Sequence, residues 1–240
     1  MEENRNVKMG FRDGLPIGLG YLSVSFAFGI FGVSSGLSVL ECFMISLFNL
    51  TSAGQLAAVP IIATGGSFIE LALTQLVINL RYSLMSVSLS QKLGKSVRLR
   101  DRFLVSFFNT DEIFAVASSK GVPVGREYLF SLAVYPILGW TLGTLLGALA
   151  GNILPEILVN SLGIAIYAMF IAIVIPVAHT EGRVALCVLT SAALSLIFYY
   201  LPPLNKIPSG FSIIITATLA SLIFAIAAPI EQGEEGDKNV

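Results

Sequence analysis

Long runs without a charged residue constrain this chain more than any other feature. Asp, Glu, Lys and Arg are absent from 14–40, 42–69, 128–155, 157–180, 184–205 and 207–230. Several of these runs reach the ~20 residues that an α-helix needs to span a bilayer. An unpaired backbone N–H or C=O costs several kcal/mol in hydrocarbon, and the runs lack the alternation of barrel strands. They therefore predict an all-α, polytopic integral membrane protein.

Composition agrees with a lipid environment. Only 12% of the 240 residues are charged and 55% are hydrophobic, whereas about a quarter of a soluble domain is charged. The 14 Lys and Arg residues nearly balance the 15 Asp and Glu residues. A soluble fold is thereby excluded, and no basic surface indicates a nucleic-acid partner.

The apolar runs divide into about eight hydrophobic segments. We expect a cytoplasmic N-terminal arm over residues 1–14, a single transmembrane domain over 15–230 and a polar C-terminal tail over 231–240. The predicted segments are Leu15–Gly36, Val39–Ala63, Phe68–Ser90, Phe103–Ser119, Tyr128–Ala150, Ile153–Val177, Val184–Leu201 and Phe211–Pro229.

Basic residues set the expected topology, because cytoplasmic loops favour Lys and Arg. They concentrate in the arm, in the loop 91–102 and in the loop 120–126. These three stretches should share the cytoplasmic side. Eight full crossings would instead place the arm and the loop 91–102 on opposite sides.

That conflict is resolved if two of the segments are re-entrant or broken helices. The candidates are Val39–Ala63 and Phe103–Ser119, which are interrupted by polar residues. They contain similar sequences, Phe48-Asn49-Leu50-Thr51 and Phe108-Asn109-Thr110-Asp111. Such a match indicates either an inverted repeat, as in many transporters, or a chance similarity of short sequences.

Charged residues at membrane depth cost ~2.5–3.5 kcal/mol on insertion scales and usually face a cavity or a partner. Arg81 lies ten residues before Gln91, near the expected midplane of its segment. Asp111 and Glu112 interrupt another uncharged segment, and either carboxylate can pair with Arg81. They are candidates for proton coupling or ammonium binding; a structural ion pair or an interfacial helix end is the alternative.

The polar interruption at residues 49–55 is a second candidate site. Its hydroxyls, glycine and amides suit either close helix packing or an unwound stretch that lines a cavity. Freed N–H groups at a half-helix N-terminus would attract a carboxylate. The candidate substrate-binding residues come from this stretch and from the next segment. They are Asn49, Thr51, Ser52, Gly54, Gln55, Asn79 and Arg81.

Enzyme chemistry is not indicated. The sequence contains no zinc-ligand spacing, phosphate-binding glycine loop or Ser/His/Asp set, so we expect no catalytic residue, metal or cofactor. Cys42 and Cys187 lie in apolar runs as small hydrophobic residues.

Several motifs together resemble a known family, the AzlC-like branched-chain amino acid permeases, which are large subunits of two-component bacterial exporters. The similarity covers nearly the whole chain. Two departures are Thr51-Ser52-Ala53-Gly54, where an Ala-Gly-Ala type run is usual, and Met85, where tyrosine is expected. The motifs are Gly14-Leu15-Pro16-Ile17-Gly18-Leu19-Gly20, Ser25-Phe26-Ala27-Phe28-Gly29, Gly36-Leu37-Ser38, the polar segment ending in Gln55, Asn79-Leu80-Arg81-Tyr82-Ser83-Leu84 and Thr110-Asp111-Glu112-Ile113-Phe114-Ala115.

This resemblance implies export of branched-chain or related apolar amino acids across the bacterial cytoplasmic membrane. It also implies coupling to the proton gradient and a small AzlD-like membrane subunit as partner. Three alternatives remain open at this level: a channel-like pore, an assembly subunit without transport activity of its own, and an uptake permease.

Overall fold

The computed structural model describes residues 2–120, 123–151, 153–155, 157, 171, 174–176 and 178–227. Every named element in this part of the chain is a helix, which confirms the all-α prediction. The helices are α1 (Glu2–Ser34), α2 (Val39–Phe48), α3 (Ser52–Ala63), α4 (Phe68–Ser90), α5 (Leu99–Phe108), α6 (Asp111–Ser118), α7 (Arg126–Gly151), α8 (Gly182–Tyr200) and α9 (Ser209–Ala227).

Four of the described helices are long and apolar enough to cross a membrane. They are the Arg5–Ser34 part of α1, then α7, α8 and α9. The predicted segment 153–177 lies mostly outside the described residues, as does the predicted tail 231–240. The chain forms two compact units, Met1–Phe170 and Ile171–Val240, and the single transmembrane domain over 15–230 stays a prediction.

The predicted boundaries differ most at the N-terminus. Residues 2–14 are helical, so α1 begins well before the predicted segment Leu15–Gly36. No proline precedes Pro16, so nothing in residues 2–14 interrupts the helix. By contrast, α4 has the bounds predicted for the third segment.

The first unit is built on a tightly packed pair, α1 and α7. Gly14 of α1 lies against the Leu132 carbonyl, and Gly147 of α7 lies against the Phe26 carbonyl, so an added Cβ at either glycine would overlap backbone atoms. Close backbone approach through small residues is how membrane helices associate. The contacts advance together along both helices, so α1 and α7 run parallel.

Two hairpins of short helices pack against this pair. In the α2–α3 hairpin, Cys42 near the start of α2 and Val59 near the end of α3 belong to one buried cluster with Phe28 of α1 and Ala148 of α7. The two ends of the hairpin are thus close together, beside the C-terminal halves of α1 and α7.

The α5–α6 hairpin packs near the other end of the pair. Val105 and Ile113 share a buried cluster with Leu129 of α7. The Lys92 ammonium, just before the hairpin, donates to the Ser118 carbonyl at its end at 2.8 Å. The segment that leads into α5 and the end of α6 therefore lie close together, as do the two ends of the first hairpin.

The three basic stretches are in direct contact. The Lys120 ammonium lies 2.6 Å from the Asp13 carboxylate of α1, and the Tyr128 hydroxyl donates to the same carboxylate at 2.8 Å. The loop before α5 pairs with the loop before α7, where the Gly94 N–H donates to the Val124 carbonyl at 2.8 Å. The expectation that these stretches share one side agrees with this arrangement.

Candidate functional site between the two helix breaks

The first break separates α2 from α3 at residues 49–51. The Asn49 N–H still donates to the Ile45 carbonyl, so Asn49 ends α2. Thr51 has an extended backbone, and its hydroxyl accepts from the Gly54 N–H at 3.1 Å, so Thr51 caps the start of α3. Threonine is a favourable residue at a helix N-cap.

The second break separates α5 from α6 at Asn109 and Thr110. Thr110 also has an extended backbone, and Asp111 begins α6. The Thr110 hydroxyl lies 2.7 Å from the Tyr21 hydroxyl of α1 and does not cap the helix. Both residues of this break are buried, with Asn109 1% exposed.

The two breaks border one cavity of about 170 Å³. Its wall combines both breaks with the middle of α4. The lining residues are Phe48, Asn49, Leu50, Thr51, Asn79, Tyr82, Ser106, Phe107, Asn109 and Thr110.

Helix ends of both polarities meet at this cavity. The ends of α2 and α5 carry partial negative charge on their free carbonyl groups, and the starts of α3 and α6 carry partial positive charge on their free N–H groups. The wall also includes apolar side chains, of which Leu50 is buried. The cavity thus suits a small molecule with both charges and an apolar part.

A row of amides connects α4 to the first break. The Gln75 carbonyl oxygen accepts from the side-chain amides of Asn49 and Asn79 at 3.2 and 3.1 Å. The Gln75 amide nitrogen donates to the Gly54 backbone carbonyl at 2.8 Å. An added Cβ at Gly54 would lie 2.7 Å from the Gln75 Oε1 atom, so the cluster requires glycine there.

Arg81 and Asp111 form an ion pair beside the cavity. Their side chains are 3.0 Å apart and about half exposed, at 48% and 46%. The predicted pairing of Arg81 with an acid of the second break is therefore observed. Arg81 also donates to the Tyr82 hydroxyl at 3.2 Å, and Tyr82 lines the cavity.

Glu112 has a different partner. Its carboxylate accepts a short hydrogen bond from the Tyr21 hydroxyl of α1. The same hydroxyl contacts Thr110, which lines the cavity. The two acids at the start of α6 are thus held by different helices, Asp111 by α4 and Glu112 by α1.

Gln55 lies outside the cavity wall and is fully buried. Its amide nitrogen donates to the Ser46 hydroxyl at 2.8 Å, and its carbonyl oxygen accepts from the Trp140 indole at 2.9 Å. The Ser46 hydroxyl lies 2.7 Å from that of Thr144. Both ends of the Gln55 amide are therefore bonded to protein groups.

A second cavity, of about 210 Å³, lies beside the first. It extends between α4 and α5 toward the basic loop, where Arg102 contributes to its wall. Ser106 and Asn109 line both cavities. These two residues therefore separate the space at the breaks from the space near the loop.

The structure brings only some of the predicted site residues to the cavity. Asn49, Thr51 and Asn79 line it. Ser52 and Gly54 lie in the first turn of α3, and Gln55, Arg81, Asp111 and Glu112 lie behind or beside the wall. Asn109 and Tyr82 were not predicted as site residues; the polar Asn109 in an apolar segment was the available signal.

These features define a class: an all-α membrane protein in which two hairpins of short helices border a small cavity lined by polar and apolar side chains. The chain belongs to the AzlC family, whose description is AzlC protein and whose model matches residues 16–154. That region contains both breaks, α4 and α7. The resemblance found in the motifs is thereby confirmed, and the family is related to branched-chain amino acid transport.

Individual relatives are membrane proteins as well. Inner membrane protein YgaZ of Escherichia coli is 30% identical over 75% of each chain. An uncharacterized membrane protein of Archaeoglobus fulgidus is 30% identical over 95% of this chain and 96% of its own. One from Helicobacter pylori is 28% identical over 59% and 64%. No solved structure is significantly similar to the chain.

Proposed function

We propose that the chain transports branched-chain or related apolar amino acids. The cavity that both helix breaks border carries this proposal. An engineered protein cavity of ~150 Å³ holds benzene, so about 170 Å³ suits a small solute. Membrane transporters commonly bind substrates where discontinuous helices meet.

The charge pattern supports an amino acid as substrate. The helix starts at Thr51 and Thr110 favour a carboxylate, and the helix ends at Asn49 and Asn109 favour an ammonium group. The apolar side chain would lie against the apolar part of the wall, near Leu50. A zwitterion matches both sets of helix ends, whereas an inorganic ion matches only one.

The chain order supports an inverted repeat. A long helix followed by a broken hairpin occurs twice, as α1 with α2–α3 and as α4 with α5–α6. If α1 and α4 cross in opposite directions, the hairpins enter from opposite sides and their breaks meet at the cavity. Both hairpins are then re-entrant, and the basic loops lie on the cytoplasmic side.

The charged residues beside the cavity suit coupling to protons. Protonation of Asp111 would release Arg81, whose guanidinium then becomes free to bind the substrate carboxylate. Protonation of Glu112 would instead change its hydrogen bond with the Tyr21 hydroxyl, which also contacts Thr110. We propose Asp111 and Glu112 as proton-coupling acids, with Ser52, Gly54 and Gln55 positioning the start of α3.

The direction and assembly follow from the family resemblance. We propose export from the cytoplasm, in the bacterial cytoplasmic membrane, with the N-terminus cytoplasmic. A small AzlD-like membrane subunit is the proposed partner, because the resemblance implies a two-component exporter.

Efflux from proteoliposomes tests this function. Vesicles loaded with L-leucine, with and without the small subunit, should release leucine saturably and faster under a proton gradient. The Arg81→Gln variant should release it much more slowly. Parental rates in that variant would refute the role of Arg81. Flux that never saturates would indicate a channel, and no flux of any apolar amino acid from the complete pair would refute transport.

A further inference from the structure

Asn109 has a buried acceptor without a partner. Its amide nitrogen donates to the Ser86 hydroxyl at 3.3 Å. Its Oδ1 atom is buried and has no hydrogen-bond partner among the described residues. Buried polar atoms are nearly always hydrogen-bonded, so such an atom in a cavity wall points to a ligand.

Asn79 repeats this arrangement from α4. Its amide nitrogen donates to Gln75, and its buried Oδ1 atom has no partner in the described part of the chain. The orientation of the Asn79 amide is determined by its neighbours. Because Gln75 uses its own amide nitrogen for the Gly54 carbonyl, the Gln75 oxygen accepts and Asn79 must donate to it.

Both unpaired oxygens belong to residues that line the same cavity. Asn79 belongs to α4 and Asn109 to the end of α5, so two independent elements contribute an unpaired acceptor to the wall of the cavity. A carbonyl oxygen left unpaired costs about 1–3 kcal/mol, which a hydrogen-bond donor on a bound ligand would recover. A ligand with N–H or O–H groups is therefore favoured next to these side chains.

We propose that Asn79 and Asn109 bind the protonated amino group of the substrate. This proposal rests on the transport function proposed above and specifies its recognition. An ammonium group carries three N–H donors and no acceptor, so one such group can donate to more than one oxygen. The partial negative charge at the end of α5 adds to the attraction. Asp111 and Glu112 are left to their ion-pair and tyrosine partners.

A specificity follows from this assignment. The 2-oxo acid derived from leucine keeps the carboxylate and the apolar side chain but lacks the amino group. It would leave both oxygens unpaired, and sites built for a hydrogen-bonding group reject analogues that lack it. The site should therefore bind leucine and exclude 4-methyl-2-oxopentanoate.

Equilibrium binding to the purified full-length chain in detergent tests the proposal. Radiolabelled L-leucine should bind the parental protein, and unlabelled 4-methyl-2-oxopentanoate should compete at least ~10-fold more weakly than leucine. Asn79→Leu and Asn109→Leu should each weaken leucine binding by about 10- to 100-fold, the usual loss for a hydrogen bond to a charged group.

Two further variants make the result specific. Asn109→Asp keeps an acceptor oxygen and should retain leucine binding. Asn205→Leu removes an exposed asparagine between α8 and α9 and should change nothing. If the Leu variants fail to fold, leucine binding by Asn109→Asp and the competition with the 2-oxo acid still test whether the amino group of leucine is recognised.

Each other outcome has a definite meaning. Equal competition by the 2-oxo acid, or unchanged leucine binding in both Leu variants, would overturn the assignment while leaving amino acid transport intact. Leucine binding that requires sodium, lost on replacement by choline, would assign the oxygens to a metal cation instead. Absence of both leucine binding and leucine flux in the parental protein would refute the proposed function itself.

Discussion

The indole N–H of Trp140 in α7 donates to the Gln55 carbonyl oxygen in α3 at 2.9 Å. The ring of Trp140 also packs edge-on against Tyr21, with centroids 5.2 Å apart. Tyr21 in turn bonds to Glu112 at the start of α6. One side chain of the α1–α7 pair therefore contacts groups that hold each of the two hairpins, so Trp140 connects the two hairpins structurally.

Replacing Gln55 by leucine should destabilise the protein by several kcal/mol. The change leaves the Trp140 N–H and the Ser46 hydroxyl without their Gln55 partner, and each unpaired buried group costs about 1–3 kcal/mol. Thermal unfolding in detergent measures the loss. Gln91→Leu, at an exposed position after α4, is the matched control. Equal melting temperatures for both variants would contradict the network.

Removing the charge of one member of the Arg81–Asp111 pair should destabilise the protein more than removing both charges. Arg81→Gln or Asp111→Asn leaves a single charge at membrane depth, at a cost of ~2.5–3.5 kcal/mol on insertion scales. The double variant Arg81→Gln with Asp111→Asn should recover much of the lost stability in thermal unfolding. Strictly additive losses would show that the two charges do not interact.

Transport by that double variant separates the two interpretations of the pair. Recovered stability without recovered leucine efflux indicates a functional role for the charges. Recovery of both would make the pair structural.

Cysteines at Lys95 and Ser119 should be labelled from the same side of the membrane. Both positions are exposed, and the loops that contain them are joined by the Gly94–Val124 hydrogen bond. In a background without Cys42 and Cys187, an impermeant maleimide applied to intact cells should label neither until the membrane is opened. Labelling of only one of the two in intact cells would exclude a re-entrant α5–α6 hairpin.

Gly139→Ala should destabilise the α1–α7 pair, whereas Gly20→Ala should not. A Cβ at Gly139 would overlap the Gly18 backbone, but one at Gly20 would meet no atom within 4 Å. Overpacking typically costs about 1–3 kcal/mol, and relief of a helical glycine gains up to ~1 kcal/mol. Thermal unfolding of the two variants should therefore shift in opposite directions. A neutral Gly139→Ala would show that the helices can separate.

The cost of charge in lipid made part of the site predictable. Either acid of the second break, Asp111 or Glu112, was a possible partner of Arg81 because a lone charge at membrane depth is costly, and the structure pairs Arg81 with Asp111. The segments Val39–Ala63 and Phe103–Ser119 were predicted to be re-entrant or broken, and the structure has helix breaks at residues 49–51 and 109–110. Which residues face the cavity was not predictable. A break of two or three residues lets the second helix rotate relative to the first, so the sequence does not tell which face of the second helix points to the cavity.

Gln55 and Asn109 illustrate that limit. The sequence suggested Gln55 as a ligand residue, since an amide facing lipid is costly; the structure satisfies its amide with Ser46 and Trp140 instead. Trp140 is 85 positions away from Gln55 in the sequence, so it cannot be recognised as a partner without the tertiary fold. Asn109 was noted only as part of the two similar sequences. Its unpaired oxygen depends on how the neighbouring helices pack, which the sequence does not reveal.

The parallel glycine-lined contact of α1 and α7 has a mechanical consequence. Backbones that already touch cannot slide past each other without steric overlap, so we expect α1 and α7 to keep their relative position and to move as one rigid unit. If the chain alternates between two access states, as a transporter would, the rearrangement must then fall on the short helices, which are linked by breaks of only two or three residues. Such a cycle would re-form a few helix caps and amide contacts and would leave the α1–α7 interface intact.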